Sequence, residues 1–359
     1  MKVCIILGTR PEIIKLSPII RELERDNSDY LILHTGQHYS YVMDRVFFEQ
    51  LKLPDARYNL DVGSGNHGEQ TGKMLVGIEK ILEKEPPNIV LVEGDTNTVL
   101  AGALTAAKLG IKVGHVEAGL RSYDREMPEE INRVLTDHCS DLLFAPTDKS
   151  KHVLLAEGIP EDRVFMTGNT IVDAVVQNMQ ISEKRRSPRE KLGIEKRNYL
   201  LSTIHRQENV DNKKRFKDLI TGLELVSKRT GMPVIYPIHP RSKKQLRNFK
   251  MSFRGIRLIE PLDYLNFLQL ERDARLILTD SGGVQEEACI LGIPCVTLRY
   301  NTERPETIEV GANVLAGTNP TEIAEKADFM LTRKKGWKNP FGDGKAGKRI
   351  VRISTRNPK

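Results

Sequence analysis

One feature limits the possible folds of this chain more than any other: short, near-continuous runs of Val, Ile and Leu, each followed by an amphipathic stretch. In the first half the runs are KVCIIL (2–7), YLILHT (30–35), NIVLVEG (88–94), IKVGHVEAG (111–119), DLLFAP (141–146) and VFMTG (164–168). Strands apolar on both faces, alternating with helices, mean a parallel sheet covered on both sides. Helix signals sit between them. Pro11 suits a first helical position, where its missing N–H costs nothing, and that helix should run to about Asp26. Others are expected near 69–85 and over 98–110, the latter closed by Gly110.

The alternation breaks at ISEKRRSPREKLGIEKR (181–197), which carries ten charges and reads as a linker or surface excursion. It restarts with NYLLSTI (198–204), PVIYPI (233–238), IRLIE (256–260), ARLILTD (274–280) and IPCVTLR (293–299). The fold class is therefore α/β, with two doubly wound Rossmann-like domains. The chain's 359 residues agree, at roughly 100–200 residues per domain. The expected division is 1–175, 176–340, and a C-terminal segment 341–359 that does not extend the pattern.

Composition excludes several classes. No apolar run approaches the roughly 18 residues of a membrane span. The apolar run at the N-terminus is too short for a signal-peptide core, so a cytoplasmic protein with no membrane partner is expected. Cys4, Cys139, Cys289 and Cys295 form no CxxC pair, and buried free thiols are expected. The net charge is +7, but the excess lies in 184–197 and 333–359 without aromatic interleaving. Nucleic acid is not expected as a partner; anionic small substrates fit the charge.

Ligands of open parallel sheets bind outside the carboxyl ends of the strands, and six loops there carry unusual chemistry. Gly8-Thr9-Arg10-Pro11-Glu12 offers a tight turn, a helix N-terminus, and cations at Arg10 and Lys15 for a diphosphate. Glu93-Gly94-Asp95-Thr96 and His115-Val116-Glu117 end apolar strands in carboxylates, which need partners or a raised pKa. Pro128 opens a helix with Glu129 in its first turn. Asp95, Glu117 and Glu129 together suit proton transfer on two faces of a substrate. In the second half, Ile204-His205-Arg206 ends the first strand. Asp280-Ser281-Gly282-Gly283 ends a strand and opens a helix, where two glycines and a hydroxyl suit an anion. Glu287, one turn on, could hold ribose hydroxyls, and Arg304 adds a cation. No HxH or HExxH spacing occurs, so no metal site is expected, and without a P-loop or a GxSxG elbow neither NTP hydrolysis nor serine-esterase chemistry is expected.

The segments GTRPEIIKLSP (8–18), TGQHY (35–39), VEGDTNT (92–98), GHVEAGLRS (114–122), MPEEINR (127–133), FMTGNTIVDA (165–174), YPIHP (236–240), TDSGGVQEEA (279–288) and TERPETIEVG (302–311) together resemble the non-hydrolysing UDP-N-acetylglucosamine 2-epimerases, of glycosyltransferase-B type. The resemblance implies that UDP-N-acetylglucosamine and its C2 epimer interconvert in a cleft between the halves, with no cofactor. Its implied roles are Asp95, Glu117, Glu129 and His205 as catalytic residues, and Arg10, Lys15, Phe267, Ser281, Gly282, Gly283, Glu287 and Arg304 as contacts to UDP and substrate. It also implies a homodimer, and a final helix that returns to the first domain. An activating UDP-N-acetylglucosamine site would involve Gln37, His38, Gln70, Arg206 and His239. Two positions depart from the bacterial pattern there: Ser40 stands where Gln is common, and Glu69 where Arg is common. The tail after Gly347 is basic rather than leucine-rich.

Overall fold

The computed structural model describes residues 1–37, 41–333 and 336–356, with 41–43 by backbone only. The chain divides into two compact units, Met1–Gln177 with Phe341–Lys359, and Asn178–Pro340.

Unit 1 winds through β1 (Val3–Leu7), α1 (Arg10–Arg25), β2 (Tyr30–His34), α2 (Tyr41–Gln50), β3 (Tyr58–Asn59), α3 (His67–Lys84), β4 (Ile89–Glu93), α4 (Asn97–Lys108), β5 (Lys112–Val116), α5 (Pro128–Cys139), β6 (Leu142–Ala145), α6 (Asp148–Ala156), β7 (Val164–Met166) and α7 (Thr170–Ser182). Its seven strands are parallel, in the order β3-β2-β1-β4-β5-β6-β7. The unit boundary falls inside α7.

Unit 2 continues with α8 (Pro188–Leu192), β8 (Leu200–Thr203), α9 (Gln207–Val210), α10 (Lys213–Thr230), β9 (Val234–Pro237), α11 (Pro240–Asn248), β10 (Ile256–Ile259), α12 (Tyr264–Asp273), β11 (Leu276–Thr279), α13 (Gly282–Ile290), β12 (Cys295–Thr297), α14 (Pro305–Glu309), β13 (Asn313–Leu315) and α15 (Pro320–Thr332). Its six parallel strands run β10-β9-β8-β11-β12-β13. The order is that of a dinucleotide-binding sheet, and unit 1 adds one strand to it.

Both faces of each sheet are covered, as the apolar runs require. In unit 2 Leu200, Tyr236, Leu276 and Val296 pack on Phe216, Leu219, Ile323 and Met330 of α10 and α15. Leu201, Ile235, Ile277 and Cys295 point the other way, to Leu270, Val284 and Ala288. Each such Leu or Ile contributes roughly 1.5–3 kcal/mol. Gly222 lets α10 close on α15: a Cβ there would stand 2.7 Å from the Ile323 side chain.

The differences from sequence expectation are local. β3 and β13, two and three residues long, carry too little pattern to stand out. The charged excursion contains a short helix, α8. The basic tail forms α16 (Ala346–Arg356). This helix returns to unit 1: Asp173 accepts the backbone N–H groups of Ala346 and Gly347 at 3.1 and 3.0 Å. Gly347 sits so close to α1 that a Cβ would meet Pro18 at 3.1 Å.

Candidate active site

In each sheet the winding reverses beside its first strand, between β1 and β4 in unit 1 and between β8 and β11 in unit 2. The strand-end loops named above surround these two reversal points, where ligands of such sheets bind.

At the unit 1 point the groups are mostly carboxyls. Glu12, in the first turn of α1, is buried rather than solvated. It accepts the Gly8 N–H and the Thr96 hydroxyl, both at 2.6 Å. Burial pushes its carboxyl up to about 7 despite those bonds. Lys15, one turn on, reaches Glu117 Oε2 at 2.5 Å and Glu93 Oε1 at 3.4 Å. Asn169 also donates to Glu117, at 3.0 Å. Glu117 is buried, and its φ of 68° lies in the left-handed region, which costs a side-chain-bearing residue energy. His115 lies between Asp137 Oδ1 (2.6 Å) and the Gly94 carbonyl (2.9 Å).

Asp95 is part-exposed and accepts two bonds from Arg133, at 3.0 and 2.6 Å. Arg133 also meets Glu130 at 2.5 Å. Asn132 donates to the Asp95 carbonyl at 3.0 Å. These partners come from α5, which is packed with its polar side inward. Glu130, Asn132, Arg133, Thr136 and Asp137 are buried, while Ile131 and Leu135 are 44% and 46% exposed. Burial would raise the Glu130 carboxyl, but the N–H groups of Ser122 and Tyr123, the Ser122 hydroxyl and Arg133 hold it below its usual range. Glu129, its neighbour, is exposed in the first turn.

The other expected unit 1 positions are engaged internally. Arg10 lies 3.3 Å from buried Asp44 and over the Phe47 ring. Gln37 Oε1 accepts from the Thr98 N–H and hydroxyl at 3.1 and 2.7 Å. Gln70 donates to the carbonyls of Gln37 and Gly63. Exposed Glu69 pairs with Lys73 at 2.6 Å. His38 and Ser40 lie outside the described residues.

At the unit 2 point one buried carboxylate organises the backbone. Asp280 accepts the N–H groups of His205 and Arg206 and the Asn209 amide at 3.0–3.2 Å. The His205 ring Nδ1 stands 3.4 Å from it, and the His239 ring lies 6.1 Å from that of His205. His239 also caps α11. Burial, His205 and Arg241 lower its proton affinity. Arg206 donates to the Asp280 carbonyl at 3.0 Å.

Ser281 caps α13 without spending its hydroxyl on the helix. Among the described residues a Cβ at Gly283 would meet nothing within 4 Å, and one at Gly282 only Glu303 Oε2 at 3.8 Å. Neither glycine has a positive φ. Glu303 is neutralised by Arg299 through two 2.9 Å bonds. Burial would raise its carboxyl, but Arg299 and Arg206 lower it to about 2. Arg304 Nε stands 2.6 Å from Glu286. Glu287 is buried one turn into α13, where its charge is felt by Tyr264 and Glu271 of α12. Phe267 packs half-buried on the same face.

Sequence reasoning missed Asp280, Arg133, Asn169 and Glu130 as parts of the site. Asp280 directly precedes Ser281, and Asn169 lies within the 165–174 segment and bonds Glu117; Glu130 and Arg133 lie on a helix whose apolar stripe points outward.

A family model for UDP-N-acetylglucosamine 2-epimerase matches residues 21–355. The chain belongs to the UDP-N-acetylglucosamine 2-epimerase family. It is 60% identical to the UDP-N-acetylglucosamine 2-epimerase of Methanocaldococcus jannaschii, over 99% of both chains. The crystal structure of that relative with UDP-GlcNAc and UDP matches at a TM-score of 0.91, covering 99% of this chain and 100% of the other. A Pseudomonas aeruginosa relative, 39% identical over 98% of each chain, is a UDP-2,3-diacetamido-2,3-dideoxy-D-glucuronate 2-epimerase. The α/β architecture, with its two parallel sheets, is that of the family's solved structures.

Proposed function

We propose that this protein interconverts UDP-N-acetylglucosamine and UDP-N-acetylmannosamine without releasing free sugar, as a cytoplasmic homodimer. The observation that carries the reading is Glu117: a buried carboxylate on a left-handed backbone, bonded to Lys15 and Asn169 at a sheet reversal. A fold keeps such strain where a group must be presented in one orientation.

The chemistry asks for such a group. The C2 proton of the sugar is hardly acidic. As the C1–O bond to UDP breaks, its electron pair leaves with the diphosphate, and growing positive charge at C1 acidifies C2–H. A carboxylate takes the proton and C1=C2 forms, giving 2-acetamidoglucal. UDP then re-adds at C1 while C2 is protonated on the opposite face. Two faces call for two acid/base groups, for which Asp95, Glu117 and Glu129 are the candidates, with His205 assisting. Arg10, Lys15, Ser281, Gly282, Gly283 and Arg304 stabilise the leaving diphosphate. The open space at Gly283, where a Cβ would meet nothing within 4 Å among the described residues, supports that role. Glu287 and Phe267 are assigned to the nucleoside.

The exposed Ile131 and Leu135, with Tyr123 and Val134, line a hollow of about 340 Å³ on α5. Apolar surface of this kind supports a subunit contact. Activation by UDP-N-acetylglucosamine through Gln37, Gln70, Arg206 and His239 belongs to the same reading. A hyperbolic reverse rate with no such requirement would refute that part.

The deciding experiment is incubation with UDP-N-acetylglucosamine in deuterium oxide, followed by NMR. The expected result is UDP-N-acetylmannosamine with deuterium at C2. Free N-acetylmannosamine would establish a hydrolysing enzyme instead. Unlabelled, unchanged substrate would defeat both.

A further inference from the structure

Glu93 ends β4 with its side chain buried to 2% exposure, yet the mechanism above gives it no part. Among the described residues its Oε1 has no hydrogen-bond partner, and the contact to Lys15 at 3.4 Å is an ion-pair distance only. The same ammonium bonds Glu117 at 2.5 Å. The charged groups facing Glu93 are Lys15 and Glu12 from α1, Asp95 from its own loop and Glu117 from the end of β5. Their other bonds are unequal. Glu12 has Gly8 and Thr96, Asp95 has Arg133, and Glu117 has Asn169. His115, beside them on β5, is turned to Asp137 and the Gly94 carbonyl.

One ammonium cannot offset two buried carboxylates. The one with a buried oxygen left without a hydrogen bond is the more costly to ionise. We propose that Glu93 is a positioning residue for Glu117: it holds a proton in the resting protein, leaves Lys15 to Glu117, and so makes Glu117 the anionic member of the pair. Burial first, and the neighbouring carboxylates after it, raise the Glu93 carboxyl well above its usual range, and Lys15 only partly opposes them. When Glu93 ionises, it competes for Lys15 and loosens the grip on Glu117. Turnover then falls on the alkaline side through a group that never touches substrate. The inference rests on Glu117 acting at C2.

Two measurements on the intact protein test it. The first needs no turnover: an infrared difference between the parent and Glu93→Gln at neutral pH. A protonated carboxylic-acid carbonyl band lost in the variant is expected; no such loss overturns the proposal even if the parent proves to be an epimerase. The second is the pH profile of deuterium incorporation at C2. In Glu93→Gln the alkaline limb of kcat should move up by about one pH unit or more while KM stays within about twofold, and Glu93→Asp should restore a limb. Superimposable profiles, or an equal loss at every pH with the limb unmoved, overturn it. A parent that never incorporates deuterium defeats the epimerase reading, while the infrared result still decides the state of Glu93.

Discussion

The two units share a strand order but treat charge at the reversal point in opposite ways. Unit 1 gathers Glu12, Glu93, Asp95 and Glu117 around few cations, and burial raises the carboxyls of Glu12 and Glu93. Unit 2 saturates the buried carboxylate of Asp280 with donors, beside an open helix start. The first arrangement suits moving protons; the second suits holding a ligand whose charge does not change. One topology can thus host either chemistry, and the loops decide which.

The contrast can be broken by substitution. The largest effect is expected for Glu117→Gln, which should cut deuterium exchange at C2 by about 10²–10⁴ while UDP affinity by calorimetry stays within about twofold. Equal losses in both would erase the division of labour. Next is a pH effect. Glu12 has its folded value raised from 4.5 to about 7, so its contribution is fully present below 4.5 and lost as pH rises through 7. The parent should lose stability on the order of 2 kcal/mol across that window, and Glu12→Gln should flatten the slope in urea titrations. In unit 2, Asp280→Ala leaves three donors without their acceptor and should cost about 2 kcal/mol of unfolding free energy in urea titrations. Unchanged stability would show that Asp280 does not hold this loop together. The smallest is Gly283→Ala: UDP affinity should fall about tenfold, with stability unchanged or raised by about 0.5 kcal/mol. A lower melting temperature would show that the glycine serves the fold instead.

The sheets were legible because a buried parallel strand can hardly be anything but an apolar run, and most strands fall inside the expected segments. β3 and β13 escaped because two or three residues cannot carry a period. The candidate residues were legible where chemistry stands at a strand end, as at Glu117 and Ser281. They were not where burial has to be known first. Glu12 after Pro11 looks like ordinary dipole complementation, and only its bonds to Gly8 and Thr96 reveal a buried acid. Glu129 and Glu130 are adjacent and chemically alike. Hydrophobic periodicity would have turned Ile131 and Leu135 inward, whereas α5 buries the opposite stripe, and Glu130 with it. A helix that spends its polar face on a site defeats the usual inference from amphipathicity.

The return of α16 to α1 gives the two units an order in time. The ribosome finishes all of unit 2 before it makes the helix that completes unit 1. Domains generally fold as units during synthesis, so the nascent first unit must wait with the Pro18 surface bare and Asp173 uncapped until residues 346 and 347 emerge. Unit 2, by contrast, is contiguous and can fold as soon as it clears the exit tunnel. The half with the proposed proton-transfer groups is therefore begun first and closed last, which ties its assembly to translation of the whole chain.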